Sequence, residues 1–218
     1  MVEGRLVGRM FAHPLTKKTN LKFVVAISLF YFVLSFAYSF IGFLARTPGN
    51  QYYEYSPTRL LVEIGGHLLF GFLAAIPFLD VEIILLTAAF SIVIDADHIL
   101  SALKLDVAGR PDHSILFAIV ATLLLIYTSR KARLDEGRRL KLAFVVAVSM
   151  LAHFAYDVFA GNGSVFQFLI PFNFKEFEIA YGGWLNFELA GFFVALLATF
   201  LALTRTRHSI VEAQSIKG

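Results

Sequence analysis

From Phe23 to Ala45 the chain carries no charged residue. A run of that length is what a helix needs to cross a hydrocarbon core, about 20 residues rising about 1.5 Å each. Further apolar runs follow at Leu60 to Leu79, Val81 to Leu103, Ser114 to Thr128, Leu142 to Ala160 and Asn186 to Leu203. The expected fold is therefore all-α: a polytopic helical membrane protein of about six transmembrane helices, forming a single integral membrane domain over residues 1–218. Composition agrees, with 58% hydrophobic and 16% charged residues, where a soluble domain carries about half and about a quarter. The formal net charge of +3 does not point to nucleic acid, because the basic residues sit at the ends of the apolar runs. The first run is too long for the roughly 7–15-residue core of a cleavable signal, so it is expected to be retained.

Basic residues also orient the chain. Arg5, Arg9, Lys17, Lys18 and Lys22 lead it, six more lie between Arg130 and Lys141, and Arg205, Arg207 and Lys217 close it. Loops rich in Lys and Arg stay in the cytoplasm. Four spans then separate the lead from the basic loop and two more reach the tail, which puts both termini on the cytoplasmic side of the cell membrane. The lead reads as an amphipathic surface segment. The loop after the first span, with Tyr52, Tyr53 and Tyr55, suits an interfacial belt.

The unusual feature is where ionisable side chains interrupt the apolar runs. Glu63 and His67 stand four apart in the second run, Asp95, Asp97 and His98 end the third, His113 opens the fourth, and His153 and Asp157 stand four apart in the fifth. Under the charge-based threading, His67, the third-run trio, His153 and Asp157 fall within about 12 Å of the extracytoplasmic ends of their spans, and His113 opens its span on that side. Such groups are expensive within a membrane and mark function by default. His153 and Asp157 lie on one helical face, a spacing that turns two ligands to one ion, or that makes a polar contact between helices. Asp95 and His98 share a face, whereas Asp97 points away unless the helix unwinds there. With no cysteine in the chain, a metal here must use His, Asp and Glu. Asp112, after Pro111, reads as a helix cap.

The ordered set Gly66-His67-x-x-x-Gly71, Asp95-x-Asp97-His98, Gly109-Arg110-x-x-His113-Ser114 and His153-x-x-x-Asp157, followed by Gly163 and Pro171-Phe172, resembles the YdjM-like family of membrane-bound metal-dependent hydrolases. That family in turn is similar to the zinc-dependent bacterial phospholipase C in its ligand order. The resemblance implies Asp95 or Asp97, His113, His153 and Asp157 around a first ion, with His67 and a bridging Asp157 available to a second. The divalent metal is expected to be Zn, with Mn or Fe as alternatives, in one or two ions. Asp112 stands where the family pattern has Thr, adding either a ligand or a cap.

These readings together give an expected hydrolase of a phosphoester in a membrane lipid or lipid-linked substrate, with its site near the extracytoplasmic face. Arg110 would meet phosphate charge, and His98 or Glu63 would act as general acid or base. The aromatic segment from Val165 to Phe177 forms either a lipid-facing lid or an ordinary aromatic belt. Two rival classes are a metal or proton transporter, which should offer polar groups at both ends of a path, and a metal-binding scaffold with a closed coordination sphere. No His-Glu-x-x-His pattern of an intramembrane metalloprotease is present. A homodimer is compatible with all of this.

Overall fold

A computed structural model of the chain describes residues 20–45, 57–102, 110–131 and 134–215. The basic lead, the tyrosine-rich loop at 46–56 and Gly109 lie outside the described residues. The elements run α1 (Leu21–Ala45), α2 (Pro57–Ala75), a 3-10 turn (Ile76–Phe78), α3 (Val81–Val93), a 3-10 turn (Ile94–Ala96), α4 (Asp97–Ala102), a 3-10 turn (Pro111–His113), α5 (Ile115–Lys131), α6 (Glu136–Ala160), β1 (Gly163–Phe166), β2 (Phe177–Ala180) and α7 (Gly183–Ser215).

Four of these stretches, Leu21–Phe40, Thr58–Phe78, Glu136–Ala160 and Gly183–Thr206, are long and apolar enough to cross a membrane. They mark the chain as a membrane protein. The other two expected spans differ from a simple rod. Val81 to Leu103 is broken, because Asp95 leaves helical geometry (φ −80°, ψ 19°) between α3 and α4. The fourth is the 17-residue α5.

Helix α6 is the axis of the packing. Its Val145, Val148, Ala152, Ala155 and Val158 are fully buried, and α2, α3, α5 and α7 all pack against it. An apolar helix enclosed on every side has no lipid-facing stripe to spare, so it takes the centre. Helix α2 crosses α3 closely at Gly71, where a Cβ would stand 2.9 Å from the Ala88 Cα.

A tight turn joins α2 to α3. Leu79 takes a left-handed conformation (φ 51°), and the Asp80 carboxylate accepts from the backbone N–H groups of Glu82 and Ile83. Around it gathers one charged end of the bundle. Arg138 of α6 donates to Asp80 and Glu82, Lys141 donates to the Phe78 carbonyl, and the Asn20 N–H reaches Glu82 at 2.8 Å.

The all-α expectation needs one correction. Strands β1 and β2 form an antiparallel hairpin, Gly163 opposite Ala180 through Phe166 opposite Phe177. This connection has no helix to satisfy its backbone, so its N–H and C=O groups pair with each other instead. Gly163 begins it at φ +114°, a conformation that favours glycine. Phe166 is buried, and it and Phe168 pack on Phe154 of α6 with centroids 4.7 and 5.3 Å away.

Candidate metal centre

The break at Ile94–Ala96 shapes the centre. In a continuous helix Asp95 and Asp97 would point apart, but the tighter turn brings both carboxylates to one guanidinium. Arg110 Nε donates to Asp97 Oδ2 at 3.0 Å, and its Nη2 donates to Asp95 Oδ1. The same side chain reaches Asp157 Oδ2 from Nη1 at 3.1 Å and His98 Nε2 from Nη2 at 3.0 Å. The α3–α4 break and α6 thus meet at one residue. Arg110 was expected to face phosphate, and its present partners are three aspartates and His98.

Behind Arg110 lie three buried histidines, His67, His113 and His153. His67 comes from α2 and stacks on His153 with ring centroids 4.1 Å apart. Its Nε2 lies 2.9 Å from Asp95 Oδ2 and 3.5 Å from Asp157 Oδ1. Yet neither nitrogen of this ring makes a well-aligned hydrogen bond among the described residues. A buried imidazole pressed against two carboxylates without a well-aligned hydrogen bond has a polar capacity that a shared ion would satisfy.

The other two rings carry a sharper constraint. His153 Nδ1 lies 2.7 Å from the Ser91 carbonyl, which can only accept, so Nδ1 carries the proton and Nε2 is bare in the neutral ring. His113 Nδ1 lies 2.9 Å from Asp112 Oδ1, and an ionised carboxylate there imposes the same tautomer. The two Nε2 atoms face each other at 2.7 Å. With both Nδ1 atoms protonated, the two facing lone pairs hold that approach with a cation between them, either a shared proton or a metal ion. Asp157 Oδ2 stands 3.3 Å from His153 Nε2 and 3.8 Å from His113 Nε2, while Asp95 Oδ1 stands 3.6 and 3.8 Å from the same atoms. His67, His153 and Asp157, as well as Asp95, His113 and His153, gather ligand atoms within 4.8 Å of one another. These His/Asp groups can hold a metal ion. Coordination at about 2.0–2.1 Å in tetrahedral geometry would set the two nitrogens about 3.3 Å apart, a small opening of the observed pair.

Asp112 is not a helix cap. It is fully buried, and its Oδ2 accepts from Ser35 Oγ at 3.3 Å and Ser39 Oγ at 3.2 Å, both on α1. Ser114 takes the capping role, accepting from the Phe117 N–H at 3.2 Å.

Glu63 does not join the cluster's ligand groupings; it pairs with Arg59 one turn earlier at 3.7 Å. His98 lies at the rim, 20% exposed, and Arg110 is 28% exposed beside it. Glu188 sits on α7, and neither carboxylate oxygen has a hydrogen-bond partner among the described residues. Ser35, Ser39 and the Ser91 carbonyl were not anticipated. The spacing of Ser35 and Ser39, four apart in an uncharged run, is the signal that points to a polar neighbour. Comparisons with protein-family models, curated proteins and solved structures return no match.

Proposed function

We propose that this chain is a membrane-bound metal-dependent hydrolase of phosphoesters in lipid or lipid-linked substrates. The observation that carries the reading is the pair of Nε2 atoms of His113 and His153 facing each other at 2.7 Å, with an unbonded His67 and two aspartates around them. His67, His113, His153, Asp95 and Asp157 are the residues that would hold the ion. A divalent ion bound there supplies Lewis acidity toward a phosphoryl oxygen and acidifies water to near neutrality.

The chain's own residues do the rest. Asp112, steadied by Ser35 and Ser39, fixes the His113 tautomer, and the Ser91 carbonyl fixes that of His153. Arg110 orients Asp95, Asp97 and Asp157 and presents positive charge on the open side. His98 at the rim is the group we assign to proton transfer, in preference to Glu63. The hairpin covers Phe154 beside the histidines, while Phe172 at its tip is 82% exposed. That tip suits insertion among lipid tails next to the site.

The reading includes six crossings. Val81–Ala102 spans about 33 Å and α5 about 26 Å at 1.5 Å per residue, each near the roughly 30 Å hydrocarbon core. The Asp80–Arg138 end, flanked by the basic loop, then faces the cytoplasm with both termini, and the histidines lie toward the extracytoplasmic face.

The test is elemental analysis of detergent-purified protein beside a His153→Ala, Asp157→Ala double variant, with phosphate release from mixed lipid extracts measured on both. Bound Zn, Mn or Fe and hydrolysis are expected to vanish together in the variant. Metal without hydrolysis would favour the scaffold or transporter, and no transition metal after reconstitution would remove the basis of the proposal.

A further inference from the structure

The centre contains overlapping places for positive charge. One is bounded by His67, His113, His153, Asp95 and Asp157. Asp97, Asp112 and His113 also gather ligand atoms within 4.8 Å, but there His113 Nδ1 is taken up by Asp112 and Asp97 Oδ2 by Arg110. The second place is bounded by Asp95, Asp97 and His98, whose ligand atoms likewise gather within 4.8 Å. Every residue of this second group is already bonded to a single side chain. Arg110 Nη2 bonds Asp95 Oδ1 and His98 Nε2, and Arg110 Nε bonds Asp97 Oδ2.

We propose that the Arg110 guanidinium is the resident second cation of this centre, so that the protein takes one divalent ion and not two. The inference rests on the metal reading above and specifies its stoichiometry. Three arguments support it.

The first is space. An ion bound to both Asp95 Oδ1 and His98 Nε2 at about 2.0–2.2 Å would need the volume that Nη2 fills, since Nη2 stands 3.0 Å from that nitrogen. The second is charge. Arg110 already bonds Asp95, Asp97 and Asp157, so a second divalent ion would have to take the place of its positive charge on carboxylates the guanidinium holds. The third is permanence. A guanidinium cannot shed its proton, so Arg110 holds its charge at every physiological pH.

Backbone geometry ties this cation to the ion's ligands. The Arg110 carbonyl accepts from the His113 N–H at 3.0 Å, closing the Pro111–His113 turn. Arg110 and a ligand histidine thus belong to one backbone turn. Of its five N–H groups, Nε uses one, Nη2 uses two and Nη1 gives one to Asp157. The remaining Nη1 proton is left for the phosphoryl oxygen of a substrate.

The experiment counts ions. Protein loaded with Mn(II) and desalted is assayed for metal per chain, and its electron paramagnetic resonance spectrum is recorded. The wild type is expected to hold one ion with an isolated-ion spectrum. Arg110→Met is expected to hold two with a spin-coupled spectrum, and Arg110→Met with Asp97→Asn to return to one. Two coupled ions in the wild type would overturn the inference and leave the metal reading standing. No ion in the wild type would overturn both. One ion in a folded Arg110→Met would also overturn the inference. If that variant does not fold, the wild-type count and spectrum decide alone.

Discussion

Replacing Gly71 with alanine, beside the same change at Gly65, tests how the centre is assembled. Both glycines lie on α2 within two turns of each other, and both changes add one methyl group. At Gly65 nothing stands within 4 Å of the new Cβ. Alanine there should stabilise the helix by about 0.5–1 kcal/mol. At Gly71 the Cβ would meet the Ala88 Cα at 2.9 Å and Ser91 Oγ at 2.4 Å, where ordinary contact begins near 3.4 Å. The serine can turn but the backbone cannot, so α2 and α3 must separate by about 0.5 Å at this crossing. Overpacking of that kind costs about 1–3 kcal/mol, which outweighs the helix gain. With about 2–4 °C per kcal/mol for a chain of this size, thermal unfolding in detergent should place Gly71→Ala several degrees below Gly65→Ala. The centre supplies a second readout. The Ser91 carbonyl holds His153 Nδ1 at 2.7 Å, so the shift should weaken metal affinity by about tenfold or more in Gly71→Ala only. Equal melting temperatures for the two variants would refute the packing of α2 on α3 described above.

Other perturbations have clear directions. Asp112→Asn presents an amide N–H₂ to the Ser35 and Ser39 hydroxyls or to His113 Nδ1, all donors in the observed network, and should weaken metal affinity about 10–100-fold by titration; Ser35→Ala with Ser39→Ala should move it the same way by less. Arg138→Met removes the guanidinium that bonds both Asp80 and the buried Glu82 and should cost about 3 kcal/mol in a melting experiment, part of which Glu82→Gln should restore. Metal affinity should fall between pH 7.5 and pH 5.5, because ligand histidines bind an ion only as neutral rings, so protons compete. Isothermal titration at pH 5.5 and 7.5 reads this, and an affinity independent of pH would contradict a histidine-rich ligand set.

The elements of the centre that could be read from sequence were those with helical spacing. His153 and Asp157 lie one turn apart on α6, and Asp95 and His98 one turn apart across the α3–α4 break, so their shared faces follow from 3.6 residues per turn. Asp97 is the informative exception. Its place depends on whether the helix unwinds at Asp95, and a local pattern does not decide that; the bond to Arg110, thirteen positions later in the chain, does. Asp112 was misread for the same reason. A proline followed by aspartate is a common helix start, and only the packing of α1 reveals that two hydroxyls, 77 and 73 positions earlier, require its carboxylate. The hairpin shows in the sequence only as an aromatic segment because each strand has four residues, too short for alternation to stand out among so many aromatics.

The seam between α3 and α6 separates the enzyme reading from a carrier. Charged groups do lie at both ends of this helix pair, Asp80, Glu82 and Arg138 at one and the histidines at the other. Between them stand Thr87, Ser91 and Ser149, all fully buried, which could look like a polar path. Their bonding argues otherwise. Thr87 donates to the Ile83 carbonyl, Ser91 to the carbonyls of Thr87 or Ser149, and Ser149 to those of Thr87 or Val145. Among the described residues these hydroxyls bond backbone oxygens and not each other, so they form no relay for protons and offer no ligand set for an ion. What they do is hold α3 against α6 and fix the Ser91 carbonyl that selects the His153 tautomer. The centre meets the surface where Arg110 and His98 are partly exposed. The proposed hydrolase, taking its substrate from one leaflet, would need access from one side, whereas a carrier would need it from two.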